Sequence, residues 1–282
     1  DSYWGVKSLE KWRRSERMVL MTKILLENPH QLFTLGYFAE IFQSAKSSIS
    51  EDLTIIKETL QQTGQGKLET VSGAAGGVKF LPYNSLEIEK EFLDNLARKL
   101  SDPTRILPGG YLYMTDIIYD PSIVAKIGTI FAHRFIGKEP DCIVTVETKG
   151  IPIALMTARA FNVPLVIIRD DSRVTEGSAV SINYVSGSTR KIGTMSLARR
   201  ALDPGAKVII IDDFMKAGGT AKGMIDLMKE FKSEVLGLGV LVDTKEPQNK
   251  LVENYLGLLE LVELDEKNEK VVINSKKYYS HV

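Results

Sequence analysis

The chain has 282 residues, 44% of them hydrophobic and 26% charged, a composition that excludes a disordered or fibrous protein. Its 36 Lys plus Arg balance 36 Asp plus Glu, which excludes a global positive field for nucleic acid, so any such attraction must come from a local patch. A single cysteine, Cys142 in an apolar run, excludes an intramolecular disulfide framework, and no apolar run approaches the ~20 residues of a membrane-spanning helix, so the chain reads as cytoplasmic, without a membrane partner.

The first 82 residues read as one unit. Met18, Leu20, Met21, Ile24, Leu25 and Leu26 form a helical stripe that stops at Asn28-Pro29. A second helix is expected over 35–42. After a turn at Gln43-Ser44, a third carries Ile49, Leu53, Ile56 and Leu60 on one face, with Ser47 or a neighbour as its cap. Two short apolar runs, Leu68 to Val71 and Val78 to Leu81, flank the glycine-rich SGAAGG and predict a hairpin.

Residues 83–282 change character. A charged helix is expected over 86–100, followed by the turn Leu107-Pro108-Gly109-Gly110. Strand-like runs CIVTVET, PLVIIRD, KVIIIDD and VLGLGVLVDT then alternate with helical stretches at 121–136, 151–161 and 219–232, the pattern of a parallel sheet covered on both faces. The interval 174–202, rich in Ser, Gly and Thr, is too long for an ordinary connection and is expected to be a functional flap or disordered.

VIIIDDFMKAGGTAKGM, from Val208 to Met224, is the most informative stretch. A buried-type strand ends in Asp212 and Asp213, and a loop with Gly218, Gly219 and Thr220 opens a helix. Such a loop aims backbone N–H groups, a hydroxyl and the positive helix end at a phosphate. The paired carboxylates before it can accept hydrogen bonds from ribose hydroxyls or hold a hydrated Mg²⁺.

This stretch resembles the motif of the type I phosphoribosyltransferases that binds 5-phosphoribosyl 1-pyrophosphate (PRPP). VTVETKGIPIA is similar to the same family's pyrophosphate loop, with Thr148, Lys149 and Gly150 facing the diphosphate, and 174–202 corresponds to the flexible loop that folds over PRPP. The resemblance implies a PRPP cradle that also includes Lys216 and Ala217.

The N-terminal order of helices and hairpin is that of a winged helix-turn-helix. Lys46, Ser47, Ser48 and Ser50 would meet DNA phosphates and base edges. Arg13, Arg14 and Arg17, with Lys79 on the wing, would supply the local positive patch. Together the two halves, through SAKSSISEDLTIIK, GAAGGVKFLP, LPGGYLYMTD and IDDFMKAGGT, closely resemble the Gram-positive purine operon regulators. That resemblance implies a homodimer that binds operator DNA with inverted repeats and senses PRPP, Mg²⁺ being carried near Asp212 and Asp213, without being an enzyme.

Two departures from the catalytic relatives agree with a sensor. Hypoxanthine phosphoribosyltransferases commonly place an acid near the purine N7 where this chain has Lys216, and a threonine where it has Ala217. A purine phosphoribosyltransferase with an appended DNA-binding domain is the competing expectation. Repression and activation both stay open, as does the direction of the PRPP effect. Phosphate-binding loops at two ends of one site would also admit guanosine tetraphosphate, its base stacked on Tyr111 and its extra charge met by Lys216.

Overall fold

The computed structural model describes residues 12–73, 76–170, 177–185 and 192–277. The chain divides into two compact units, Asp1–Ser85 and Leu86–Val282.

In the first unit, helix α1 (Arg14–Glu27) presents Met21, Ile24 and Leu25 to the interior and ends at Asn28, whose side chain donates to the Ile24 carbonyl at 2.8 Å. Helix α2 (Leu35–Phe42) is capped by Thr34, whose hydroxyl accepts from the Tyr37 N–H at 3.1 Å, and ends at Gln43 in the left-handed conformation. Helix α3 (Lys46–Gln62) buries Ile49, Leu53 and Ile56. Its N-cap is Ala45, without a side-chain cap, so Ser47 and Ser48 lie inside the first turn and the cap expected from Ser47 or a neighbour carries no side-chain bond. Strands β1 (Lys67–Val71) and β2 (Gly77–Leu81) pair antiparallel, and Phe33 adds a bridge to Val78 with reciprocal 2.9 Å backbone bonds. Phe38 and Phe42, fully buried and stacked, fill the middle of this three-helix core with Met21 and Ile49. Three helices and a two-stranded wing make a winged helix-turn-helix.

The second unit begins with α4 (Leu86–Leu100). A small hairpin follows, β3 (Ile106–Leu107) and β4 (Tyr111–Leu112), then α5 (Thr115–Ile118) and α6 (Pro121–Arg134). Strand β5 (Cys142–Val146), helix α7 (Gly150–Phe161) and strand β6 (Leu165–Ile168) form one parallel crossover. Strands β7 (Ala179–Val185) and β8 (Ile192–Ala198) pair antiparallel. Strand β9 (Lys207–Met215), helix α8 (Gly219–Glu230) and strand β10 (Glu234–Thr244) form a second crossover, and β11 (Leu256–Asp265) and β12 (Lys270–Ser275) complete the sheet. Of the interval expected to be a flap, the described residues form the β7–β8 hairpin, whose Met195 and Leu197 are buried in the core. Residues 174–176 and 186–191 of that interval lie outside the described residues.

The six-stranded sheet runs β12-β11-β10-β9-β5-β6, parallel except for β12 against β11. Alternation along β9 feeds two cores. Ile209 and Ile211 join Ile143, Leu241 and α6 and α7 on one face, whereas Val208 and Ile210 join Val144, Met224 and Leu227 of α8 on the other. Both faces are therefore dry, which is why the strand sequences are continuous apolar runs.

Candidate functional site

The strand order fixes where a site can open. The chain leaves β5 toward β6 and leaves β9 toward β10, so the connections at the β5/β9 pair diverge and leave a crevice at the carboxyl ends of these neighbours. A cavity of about 610 Å³ lies there, lined by Asp212, Asp213, the loop Lys216 to Thr220, Lys149, the hairpin residues Gly109 to Leu112, Thr244, Glu246 and β11 residues Leu261 to Leu264. Nine of the eleven residues expected to bind PRPP thus share one wall or another: Asp212, Asp213, Lys216, Ala217, Gly218, Gly219, Thr220, Lys149 and Tyr111. Thr148 and Gly150 are not in the lining.

Gly150 has a different task. A β-carbon there would stand 2.5 Å from the Thr145 hydroxyl and 3.1 Å from Asp212 Oδ1, so only glycine lets the start of α7 pack against the acidic strand end. The preceding turn is tied sideways: Glu147 accepts from the Asp170 N–H at 2.9 Å and from Arg169 Nη1 at 3.2 Å, and the Glu147–Thr148 peptide is cis. Lys149 remains exposed at the turn.

Asp212 is buried, and its Oδ1 accepts the Asp213 N–H at 2.9 Å. Burial, then the neighbouring Asp213 charge, pushes Asp212 well above the usual carboxylate range. Burial also raises Asp213, which is opposed by its bonds to Asp212 and the backbone and by the Lys149 charge. A cationic or hydroxyl-bearing ligand would relieve both. Among the described residues no group of three or more His, Cys, Asp and Glu side chains could hold a metal ion, so Asp212 and Asp213 could share Mg²⁺ only with water or ligand oxygens.

The phosphate loop is held from behind. Gly218, at φ 82°, is the N-cap of α8. The Ala217 carbonyl accepts the Leu251 N–H at 2.9 Å, and the Lys216 carbonyl accepts Lys250 Nζ at 2.7 Å. Lys250 also reaches the Thr244 and Pro247 carbonyls, at 2.7 and 3.2 Å, and burial lowers its pKa. The Lys216 and Ala217 carbonyls are thus both bonded, and the Lys216 side chain is exposed. A β-carbon at Gly223 of α8 would stand 3.0 Å from Tyr184 Cβ and 3.1 Å from Met195 Sδ, so the β7–β8 hairpin packs directly on this helix. Lys250, Glu246, Thr244 and the β11 residues carried no sequence signal, because each joins the site through a strand end far along the chain.

In the winged-helix unit, Lys46, Ser47 and Ser50 are exposed in the first turns of α3 and Ser48 is half-buried. Arg13 is exposed, its N–H bonded to Glu16 at 2.8 Å. Arg14 and Arg17 both turn to Asp52 of α3, and Lys79 pairs with Glu69 across the wing at 3.2 Å. The Arg17 guanidinium is committed inside the unit, a partner that the basic run gave no hint of.

Comparison with known proteins agrees on both units. Residues 13–82 match the N-terminal domain of the bacterial purine repressor, and residues 114–275 the phosphoribosyl transferase domain. The chain is 52% identical to the purine biosynthesis transcriptional repressor PurR of Bacillus subtilis, over 95% of this chain and 94% of that one. It is 40% identical to the purine biosynthesis transcriptional activator PurR of Lactococcus lactis, over 92% and 96%. The second unit superposes on the adenine phosphoribosyltransferase of Thermoanaerobacter pseudethanolicus with a TM-score of 0.52 at 18% identity, covering 59% of this chain and 98% of that one, a likeness of fold. The chain therefore belongs to the PurR family of purine biosynthesis transcriptional regulators, a DNA-binding domain followed by a domain of the type I phosphoribosyltransferase fold.

Proposed function

We propose that this transcriptional regulator is controlled by PRPP bound in the cavity at the β5/β9 strand ends, and that it does not catalyse phosphoribosyl transfer. The observation that carries the reading is the convergence, in one cavity, of the loop Lys216 to Thr220, the acidic pair Asp212 and Asp213, and Lys149. Loop N–H groups would take the 5′-phosphate, Asp212 and Asp213 the ribose hydroxyls, and Lys149 with ligand-borne Mg²⁺ the diphosphate. A homodimer would place two α3 helices on an operator with inverted repeats, Lys46, Ser47, Ser48, Ser50 and Arg13 meeting the DNA. Control then requires PRPP to favour one of two dimer arrangements that differ in DNA affinity, since equal affinity shifts nothing. Guanosine tetraphosphate fits the same site as a competitor, with its base on Tyr111 and its added charge at Lys216.

A mobility-shift titration on DNA upstream of purine synthesis genes, with and without Mg²⁺-PRPP, tests the proposal. The midpoint should move with PRPP for the wild type and stand still for the Asp212→Ala, Asp213→Ala double variant. A PRPP-indifferent wild type would overturn it.

A further inference from the structure

The cavity lined by the loop Lys216 to Thr220 is also lined by the tip of the β3–β4 hairpin, and that tip bonds one side chain. Gly109 and Gly110, at φ 87° and 73°, turn consecutive N–H groups onto Glu266 Oε2, at 3.0 and 3.1 Å. Successive donors converging on one oxygen make an anion nest, here filled by a carboxylate of the chain itself. Glycine is needed at both positions because left-handed backbone penalises other residues.

Glu266 sits in the β11–β12 turn, which is built to present it. Asp265 Oδ1 accepts the Lys267 and Asn268 N–H groups at 3.0 Å each, and Asn268 Nδ2 bonds Asp265 Oδ2 at 2.6 Å. The base of the hairpin is anchored separately: Arg105 bonds the Tyr113 carbonyl at 3.1 Å and Asp116 through both terminal nitrogens at 2.7 and 2.8 Å. Between the two anchors stands Tyr111, 60% exposed, which lines the cavity. Its ring edge lies 3.2 Å from where a Gly109 β-carbon would be, so the ring rests on the backbone that Glu266 holds.

We propose that Glu266 is a positioning residue for the base-binding end of the cavity: by clamping the Gly109-Gly110 nest it sets the Tyr111 ring as a stacking wall for the flat base of a purine nucleotide whose phosphate lies on the loop Lys216 to Thr220. The proposal deepens the effector reading above and rests on it. It predicts that Glu266, which need touch no ligand, acts only on ligands that carry a base.

Guanosine 5′-monophosphate and ribose 5-phosphate differ by the base alone, so the ratio of their affinities, each measured on the full chain by displacement of radiolabelled PRPP, reports the base end. Stacking on one aromatic ring predicts a wild-type ratio of about tenfold or more. Glu266→Ala should lower that ratio by at least about fivefold, Glu266→Gln should fall between because its amide oxygen still accepts, and Tyr111→Ala should lower it as far. Combining Glu266→Ala with Tyr111→Ala should lower it no further than Tyr111→Ala alone, a coupling that general destabilisation does not produce. An unchanged ratio in both Glu266 variants, additive losses in the double variant, or a wild-type ratio near one would each overturn the proposal. Failure of the wild type to bind PRPP at all would instead remove the effector reading, and this proposal with it.

Discussion

Arg17 of α1 grips Asp52 of α3 with two nitrogens, Nε at 3.0 Å and Nη2 at 2.8 Å, and Asp52 is fully buried. Arg14 Nε adds a third bond at 2.8 Å. The helix expected to enter DNA is thus locked to the helix before the turn by a buried charge that only its partners make tolerable. Removing the carboxylate leaves the Arg17 guanidinium, 11% exposed, without it. Asp52→Ala should destabilise the N-terminal unit by about 3 kcal/mol, the ordinary cost of breaking a buried pair. Trp12, edge-on to Phe42 at 5.8 Å, and Trp4 are the chain's two tryptophans, so denaturant unfolding followed by tryptophan fluorescence reads this unit.

The same pair separates two kinds of cation among those expected to meet DNA. Lys46 and Arg13 are exposed, whereas Arg17 serves Asp52. A log-log plot of operator affinity against salt should therefore lose about 0.9 of slope on Lys46→Ala and a similar amount on Arg13→Ala, one phosphate contact each. Arg17→Met should lower affinity and stability together with the slope kept. An Arg17 variant that loses slope as Lys46→Ala does would place its guanidinium on DNA.

How far these features were legible depends on where each residue's partner lies in the chain. The bounds of α2 and α4, 35–42 and 86–100, follow from local signals, apolar spacing with a turn or breaker at the ends, and they match the structure. The acidic pair at the end of β9 and the glycine loop that opens α8 were legible for the same reason, since strand, acids, glycines and helix follow in one unbroken stretch. Asp52 was not: among the polar residues of α3 an aspartate reads as solvated, and its burial is decided by arginines 35 and 38 positions away. Glu266 is hidden more deeply, because its partners are backbone N–H groups 156 and 157 residues earlier. The pairing of β7 with β8 carried no strand signal because its alternation places Ser181, Asn183 and Thr194 on exposed positions, a polarity shared with loops.

Asp212 yields a prediction about pH. Its carboxyl is raised well above 3.8 by burial, so the folded state holds its proton more tightly than the unfolded chain does. Its contribution to stability is therefore fully present below the unfolded value and is lost as pH rises through the folded one. Burial of this carboxyl therefore costs stability at any pH above the unfolded value. Asp212→Asn should raise the thermal midpoint of the second unit at pH 7, with the gain shrinking toward pH 4, while PRPP affinity falls by at least about tenfold, roughly the worth of one charge-assisted hydrogen bond. Far-UV circular dichroism melts across that range, with calorimetry for PRPP, check both signs. A variant that binds PRPP as well as the wild type would show that this carboxylate serves the fold alone.

The last prediction separates a sensor from a catalyst. Phosphoribosyl transfer needs an oxocarbenium-like centre beside a bound diphosphate and a base held and activated at its attacking nitrogen. The cavity is lined by the loop proposed to bind phosphate, but Lys216 stands where the resemblance to hypoxanthine enzymes would put an acid, and its exposed ammonium cannot take a proton from a purine as a carboxylate can. Losing one general acid or base commonly costs 10²- to 10⁴-fold, and losing the base's orientation costs more. Adenine, guanine, hypoxanthine and xanthine should therefore show no measurable turnover with Mg²⁺-PRPP, in a preparation whose PRPP binding is demonstrated by calorimetry in parallel. The parallel matters because an inactive preparation gives the same blank. Nucleotide formation from any of the four bases at ~1 s⁻¹ or faster lies in the ordinary enzyme range and would make the second unit a catalyst attached to a DNA-binding domain.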